Sequence, residues 1–287
     1  MSIRIVSDSS SNVFALEGVN YVTVPMKVIA GDKEFIDTPA QDVAAMVNFL
    51  KSYTGKSGSS CPNVQEWLDA FAGEDDIIAI TISGPLSGSY NSAKQAAEEF
   101  VSENPGRKAH VIDSKTAGPQ MMLIIEKLRS LIAEGLDFDT VVAKGVEYAN
   151  HTHILFCLES MMNLARNGRV SVAAAKIAGV LGIRGVGDVR EGQITKVAKP
   201  RGAKKAIQTI VEMMKERGFH NGAWLRVAHC LGDEQANALA DAVRAEFPGA
   251  RITLEPTTCL CSFYAEAGGL IIGFEGKLNE ANDNRVY

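Results

Sequence analysis

The chain has 287 residues, of which 46% are hydrophobic and 22% are charged, and its formal net charge is -5. This length predicts two domains or one large α/β unit, either of which can bury a substantial core. The charge balance lacks the excess of Lys and Arg that nucleic acid phosphates require, and the charges are too scattered to form a basic stripe for an anionic membrane surface.

The start of the chain and the cysteines bear on where the protein resides. Residues 1–8 lack the long apolar segment of a secretory signal, and no later stretch reaches the roughly 18 uncharged apolar residues of a membrane span. Five cysteines at irregular spacing favour free thiols in a reducing compartment over a disulfide framework. We therefore expect a cytoplasmic protein that does not insert into a membrane.

The first half of the chain alternates between strand and helix patterns. Apolar or alternating runs predict strands over residues 3–7, 21–29, 77–82 and 109–112. Apolar residues at helical spacing predict helices over residues 42–53, 64–71, 89–103, 116–133 and 138–149. This alternation is typical of a parallel sheet with helices on both faces, and it predicts an N-terminal α/β domain over residues 1–150.

The second half has more strands for each helix. The strands are predicted over residues 154–158, 192–196, 224–229, 251–255 and 270–274. The helices are predicted over residues 203–217 and 233–247. Short strands with fewer helices indicate an α+β domain over residues 151–287. The predicted fold class is therefore α/β with two domains.

Three polar turns in the first half are candidates for binding an anion: residues 8–10, 57–62 and 83–93. The first and third turns follow predicted strands, and the carboxyl ends of parallel strands share one crevice. Hydroxyls and free amides at a helix N-terminus, as after Ser87 and Gly88, suit a carboxylate or a phosphate. A single serine of this kind is more often a helix cap or turn former, so only the joint occurrence of the turns indicates a site.

Two further motifs do not fit a catalytic or cofactor site. In residues 84–88 (Gly-Pro-Leu-Ser-Gly) the serine is one residue farther from the first glycine than in the nucleophile elbow of serine hydrolases, and no dedicated base is evident. Residues 182–187 contain three glycines but lack the fingerprint of a dinucleotide site and its acidic partner. We interpret residues 182–187 as a loop.

Paired histidines and paired cysteines also favour structural interpretations. His151 and His153 lie on one face of a possible strand, but no further metal ligand stands at a suitable spacing. Cys259 and Cys261 occupy alternate positions of a possible strand, which favours two small core side chains over a redox pair.

Five motifs follow one another along the chain, at residues 5–10, 59–62, 82–93, 111–115 and 167–170. In this order they resemble the motifs of the DegV family of bacterial fatty-acid-binding proteins. The most specific element is the Leu-Ser-Gly-Ser-Tyr-Asn-Ser-Ala stretch at residues 86–93. The resemblance runs nearly from end to end of the chain.

This resemblance implies that an acyl chain lies in a cleft between two domains and that hydroxyl groups hold its carboxylate. The serines that match the family's hydroxyl positions are Ser59 and Ser87. Some family members carry fatty acids for a separate fatty acid kinase, which phosphorylates the bound carboxylate. We therefore expect a long-chain fatty acid as the ligand, a fatty acid kinase as a candidate partner, and no catalysis by the chain itself.

The sequence departs from the family around the expected site. The family's His-Thr-Gly-Pro-Gly stretch aligns with residues 264–268, so Tyr264 replaces a histidine and Glu266 adds a negative charge nearby. Ser59 replaces a threonine, and Cys61 replaces a glutamine with a weaker hydrogen-bonding group. These changes predict poorer presentation of the bound acid to a kinase.

Two arginines in turns that contain glycine match basic positions of the family. Arg169 and Arg201 each have a guanidinium that can reach an anion. A solvated surface side chain is an equally good interpretation for Arg201, whereas the family match favours a role for Arg169 at the domain interface. The predicted ligand-binding residues are Asp8, Ser59, Ser83, Ser87, Gly88, Asn91, Arg169, Arg201 and Tyr264. We predict no catalytic residue, metal or cofactor.

Two functions stay open at this point. The first is a carrier of long-chain fatty acids, and the alternative is an enzyme that acts on a small anionic metabolite in the same crevice. A narrow apolar tunnel running away from Ser87 favours the carrier. A short polar cup with a base of perturbed pKa favours the enzyme.

Overall fold

The computed structural model describes residues 2–173, 175 and 182–279, without the side chains of Lys196 and Val197. The strands are β1 (Ile3–Asp8), β2 (Asn20–Val24), β3 (Lys27–Ala30), β4 (Lys33–Ile36), β5 (Ser57–Ser60), β6 (Asp76–Thr81), β7 (Ala109–Asp113), β8 (Thr152–Leu158), β9 (Gly185–Arg190), β10 (Gln193–Ala198), β11 (Trp224–His229), β12 (Arg251–Pro256) and β13 (Leu270–Glu275). The helices are α1 (Val43–Ser52), α2 (Val64–Phe71), α3 (Ser89–Glu103), α4 (Pro119–Ala133), α5 (Phe138–Ala149), α6 (Met162–Arg166), α7 (Ala203–Glu216), α8 (Asp233–Glu246) and α9 (Cys259–Ala265). A short 3-10 helix covers Ser9–Ser11.

Four parallel strands form the first sheet, in the order β2-β1-β6-β7. The central strand β6 is buried at every position, because α2 and α3 pack on one face of the sheet and α4 packs on the other. The carboxyl ends of β1 and β6 lie side by side where the strand order reverses, which is where open α/β sheets bind ligands. The predicted parallel sheet with helices on both faces is confirmed.

Six strands form the second sheet, in the order β10-β9-β8-β13-β11-β12. Only β11 and β12 are parallel, and the other neighbours are antiparallel. Helices α7 and α8 cover one face through a core that includes Leu155, Leu225 and Ile272. The second half of the chain is therefore α+β in architecture, as the sequence predicts.

Two helices connect the sheets. Helix α4 lies between the first and second sheets and contacts β1 as well as β11 and β13. Helix α9 packs on α1 and on β3, which belongs to a small antiparallel sheet in the order β4-β3-β5. Helices from both halves of the sequence contact both halves of the structure. The division into two domains at residue 150 stays a prediction. Residues 280–287 of the predicted second domain lie outside the described residues.

Four sequence-based assignments are wrong in detail. The strand predicted over residues 21–29 is two strands, β2 and β3, in different sheets. Residues 57–60, predicted as a turn, form β5, and residues 185–187, predicted as part of a loop, begin β9. The possible strand at residues 259–261 is the start of α9, although Cys259 and Cys261 are both buried as predicted.

Candidate functional site

A cavity lies between the carboxyl edge of the first sheet and one face of the second sheet. Ile82 lines it after the end of β6, Phe156 lines it from β8, and Ile271 lines it from β13. Leu260 and Ala265 of α9 close another side. Most of these apolar side chains are buried, so the cavity suits an apolar ligand and corresponds to the expected cleft.

Four polar side chains meet in one part of the cavity, and we call them the polar end: Ser59, Ser87, Arg169 and Tyr264. The side-chain oxygens of Ser59 in β5 and Tyr264 in α9 are 2.7 Å apart and share a hydrogen bond. The guanidinium carbon of Arg169 lies 5.9 Å from the centre of the Tyr264 ring, within the range of a cation–π contact. The structure thus brings together four of the residues predicted for the site.

The half-buried guanidinium of Arg169 donates to backbone carbonyls. Nε and Nη2 donate to the carbonyl oxygen of Leu86 at 3.3 and 3.2 Å, and Nη1 donates to that of Asn167. Within residues 2–173, 175 and 182–279, no acidic side chain forms an ion pair with Arg169. Its charge is therefore not neutralised by these residues, which favours an anion beside it.

The backbone before α3 places the hydroxyl of Ser87. The amide of Ser87 donates to the carbonyl of Ser83 at 3.1 Å, which closes a tight turn. The amide of Ser89 donates to Oγ of Ser87 at 3.3 Å. The N-terminus of the long helix α3 follows directly, so its amides and its dipole favour negative charge near Ser87.

A polar groove lies on the outside of the polar end, and we call it the outer groove. Gly88, Asn91 and Gln193 line it together with Ser87 and Arg169. Gly88 and Asn91 are therefore placed in the outer groove and not in the cavity. Ser87 and Arg169 line both spaces, so the outer groove adjoins the polar end.

Asp8 is fully buried at the end of β1, where its carboxylate binds residues of two polar turns. Its Oδ2 accepts from Oγ of Ser89 at 2.6 Å and from the amide of Ile82 at 2.9 Å, and its Oδ1 accepts from Oγ of Ser10. Burial raises the pKa of Asp8, and these hydrogen bonds act against that rise. Asp8 therefore joins the first and third polar turns, as expected. Its carboxylate does not line the cavity, where a ligand contact was predicted.

Ser83 fastens the turn between β9 and β10. Its buried Oγ donates to the carbonyl of Gly192 at 2.6 Å. A Cβ atom at Gly192 would lie 2.4 Å from Oγ of Ser83, so the close approach of the two residues requires a glycine. The hydroxyl of Ser83 is thus engaged by the protein, and Ser83 is not among the cavity residues.

Arg201 lies apart from the polar end. It is exposed, forms a backbone bridge with Ile183, and lines neither the cavity nor the outer groove. Its contact with an anion stays a prediction. Glu266, expected to add negative charge near the site, accepts from the backbone amide of Asn163 at 3.1 Å through Oε1. That carboxylate is therefore directed to α6.

Sequence reasoning missed most of the apolar wall. Ile154, Phe156 and Leu158 line the cavity from alternate positions of β8, and Val189 and Ile194 line it from β9 and β10. The strand β8 itself was predicted from the sequence. The sequence did not show which face of β8 borders a cavity, because the strand is buried on both sides and carries apolar residues on both faces.

Cys261 and His153, one from each of the two pairs, have surroundings typical of residues with a structural role. Burial raises the pKa of the Cys261 thiol, and the nearby charges of Asp37 and Asp8 raise it further, so the thiol in the cavity wall stays protonated. His153 stacks on Phe274 at 5.3 Å, and its Nε2 lies 2.9 Å from the carbonyl of Lys277.

The described part of the chain contains no group of three or more His, Cys, Asp or Glu side chains that could hold a metal ion. None of its helices has the length and apolar character needed to cross a bilayer.

The fold and this site define an α/β protein with an apolar cavity that ends in hydroxyls and a cation, and comparison with known proteins gives its family. The family model described as "Uncharacterised protein, DegV family" matches residues 2–277. A DegV domain-containing protein of Streptococcus gordonii is 36% identical over 280 residues, which is 96% of this chain and 99% of that protein. The chain belongs to the DegV family, as its motifs indicated.

Two solved structures are close to this one. The first is a DegV family protein from Eubacterium eligens loaded with heptadecanoic acid, with a TM-score of 0.93 and 35% identity over 96% of this chain and 100% of that chain. The second is the Streptococcus pneumoniae Fatty Acid Kinase (Fak) B3 protein loaded with linoleic acid, with a TM-score of 0.92 and the same identity and coverage.

Proposed function

We propose that this protein is a carrier that binds one long-chain fatty acid, with the acyl chain in the cavity and the carboxylate at the polar end. The observation that carries this proposal is Arg169, a half-buried cation with carbonyl partners at one end of a largely apolar cavity. Two relatives with closely similar structures are loaded with heptadecanoic acid and linoleic acid.

The two parts of a fatty acid have different roles in this proposal. Burying about fourteen methylenes of a C16 chain at ~0.8 kcal/mol each gives roughly 11 kcal/mol before the ordering of chain and protein is subtracted. Hydrogen bonds from Ser59, Ser87 and Arg169 to an ionised carboxylate add about 1 to 3 kcal/mol each and fix its orientation. The acyl chain therefore supplies most of the affinity. The carboxylate fixes the position of the ligand along the cavity and distinguishes an acid from a plain hydrocarbon.

The outer groove supports a role in presenting the head group to a partner. Ser87 and Arg169 line both the cavity and this groove, so a carboxylate between them is accessible to another protein while the tail stays buried. A relative of 35% identity is the B3 protein of a fatty acid kinase. We propose that the partner is a kinase that phosphorylates the bound carboxylate.

The cavity chemistry favours the carrier over the alternative enzyme. Among the described residues, the cavity wall contains no Asp, Glu, His or Lys to act as a base. Its Cys261 thiol stays protonated. The buried carboxylate of Asp8 does not line the cavity and accepts hydrogen bonds from Ser10, Ser89 and the amide of Ile82. The remaining functional groups are suited to binding and orientation.

A titration of delipidated protein tests this proposal. We expect one molecule of palmitic acid to bind per chain, hexadecanol to bind at least tenfold more weakly, and a short acid such as butyrate to show no saturable binding. Tighter binding or turnover of a short anion, with no binding of palmitic acid, would contradict the carrier and support the enzyme.

A further inference from the structure

We propose that the tip of the β9–β10 hairpin, residues 189–194, is a movable part of the cavity wall, and that a hydrogen bond from Ser83 holds it closed. This inference rests on the proposed binding of fatty acids. Most side chains that line the cavity are buried, so we expect part of the wall to move when a long acyl chain enters or leaves.

The tip separates the cavity from two grooves on the protein surface. Val189 and Ile194 are paired in the hairpin, and both line the cavity. Ile194 also lines the outer groove. Val189 also lines a second groove, which we call the rear groove, together with Asp188 and Arg190. The wall is therefore one layer of residues thick at this pair, and displacing the pair joins the cavity to both grooves.

The tip extends beyond the rest of the second sheet. The pairing of β9 with β8 ends at Asp188 and Leu155, immediately before the tip. Strand β10 lies at the edge of the sheet, and its pairing with β9 shifts register between Ile194 and Val197. Such a shift interrupts the ladder of hydrogen bonds. The tip therefore lacks the support of a third strand and adjoins an irregular stretch at which the hairpin can bend.

Asp188 fixes the base of the tip. Its buried carboxylate accepts from Nε of Arg190 at 3.0 Å, and also from Thr195 in β10 and from Arg217, which follows α7. These bonds join both strands of the hairpin to the helical layer of the second half. The base is therefore held firmly, and movement is expected only beyond it.

One hydrogen bond, which we call the clasp, holds the end of the tip against the first half of the chain. The buried Oγ of Ser83 donates to the carbonyl of Gly192 at 2.6 Å. Within residues 2–173, 175 and 182–279, no other hydrogen bond joins residues 189–194 to residues 2–150. A Cβ atom at Gly192 would also lie 3.1 Å from Pro85, so the hairpin turn rests directly on the turn that precedes Ser87.

Exchange rates of palmitic acid test the movable wall. Release of radiolabelled palmitic acid into excess unlabelled acid gives the dissociation rate, and titration of delipidated protein gives the affinity. Ser83→Ala removes the clasp in the free and the loaded protein alike. We therefore expect the dissociation and association rates to rise together by roughly tenfold, while the affinity changes less than about threefold.

Ser114→Ala is the matched control. The buried hydroxyl of Ser114 donates to the carbonyl of Thr116 and forms no bond with the hairpin. This variant loses the same kind of hydrogen bond, so it should show the exchange rates of the wild type.

Gly192→Ala tests the clasp from the side of the hairpin, and it serves also if Ser83→Ala does not fold. The added Cβ displaces the turn from Ser83 and Pro85, so faster exchange is again expected. Weaker affinity with an unchanged association rate, or wild-type rates in both variants, would overturn the movable wall, although fatty acid binding still holds. If the folded, delipidated wild type binds no palmitic acid, the proposed function itself is overturned.

Discussion

The phenol oxygen of Tyr264 lies 2.7 Å from the hydroxyl oxygen of Ser59, and this hydrogen bond joins α9 to β5 at the polar end. Helix α9 is held there by Asn12, whose Oδ1 accepts from the amide and the hydroxyl of Thr258 at its N-terminus. The family resemblance assigns a histidine to the position of Tyr264. Tyr264 provides a hydroxyl at this position but cannot provide a positive charge.

This substitution predicts a difference between binding and transfer. A histidine can be cationic near neutrality, and an acyl phosphate carries more charge and more acceptor oxygens than a carboxylate. We expect Tyr264→His to increase kinase-dependent formation of acyl phosphate several-fold while fatty acid affinity changes less than twofold. The measurement compares both quantities for wild type and variant. Rapid turnover by the wild type would show that Arg169 already supplies the required charge.

The hydroxyl of Ser87 is expected to serve the carboxylate alone. Ser87→Ala should weaken binding of palmitic acid by roughly 1 to 2 kcal/mol and leave binding of its methyl ester almost unchanged. Ser60→Ala is a suitable control, because Ser60 donates to the carbonyl of Cys61 and does not line the cavity. Equal losses for acid and ester would point to a distorted turn before α3.

The charge of Arg169 should distinguish an acid from an alcohol. Arg169→Gln removes the cation from the polar end, so the preference for palmitic acid over hexadecanol should fall by about 2 kcal/mol. Arg201→Gln is the matched control, and we expect it to keep the wild-type preference because Arg201 is exposed and lies outside the cavity. An equal effect of the two substitutions would show that the preference depends on the net charge of the protein and not on a contact with Arg169.

Asp37 is expected to make stability depend on pH. Burial raises the pKa of Asp37 from 3.8 to about 6, and among the described residues neither oxygen of its carboxyl group has a hydrogen-bond partner. The folded state therefore binds the proton more tightly, and the stability that this provides is lost as the pH rises through about 6. The raised pKa corresponds to about 3 kcal/mol above pH 6.

We therefore expect Asp37→Asn to be more stable than the wild type at pH 7.5 and to lose most of this advantage at pH 4. Denaturant unfolding at both values measures the difference. Asp32→Asn, an exposed change in the same segment, should show no such pH dependence. A variant whose advantage grows as the pH falls would contradict the assignment.

Strong local signals explain where the sequence was sufficient for predicting the fold. The run at residues 77–82 and the helix at residues 89–103 carry continuous or periodic apolar residues, and both elements form within one residue of the expected limits. The break between β2 and β3 was also visible, because Pro25 lacks the amide that a continuous strand needs. Strand β5 gave no such signal, since its Ser-Gly-Ser-Ser sequence becomes a strand only by pairing with β3.

The site was predictable to the extent that its residues lie in recognisable turns. Ser59, Ser87, Arg169 and Tyr264 meet as expected. Asp8 and Ser83 belong to the same turns, but their side chains bond to the protein, and this depends on hydrogen bonds to Ile82 and Gly192 that no local pattern reveals.

Native mass spectrometry of the protein as purified tests the central claim most directly, because a buried long-chain acid should survive purification. We predict one added mass per chain, within the range of C14 to C18 acids, which disappears on delipidation and returns when palmitic acid is added. Protein that is free of lipid when purified and remains so after palmitic acid is added would contradict the claim.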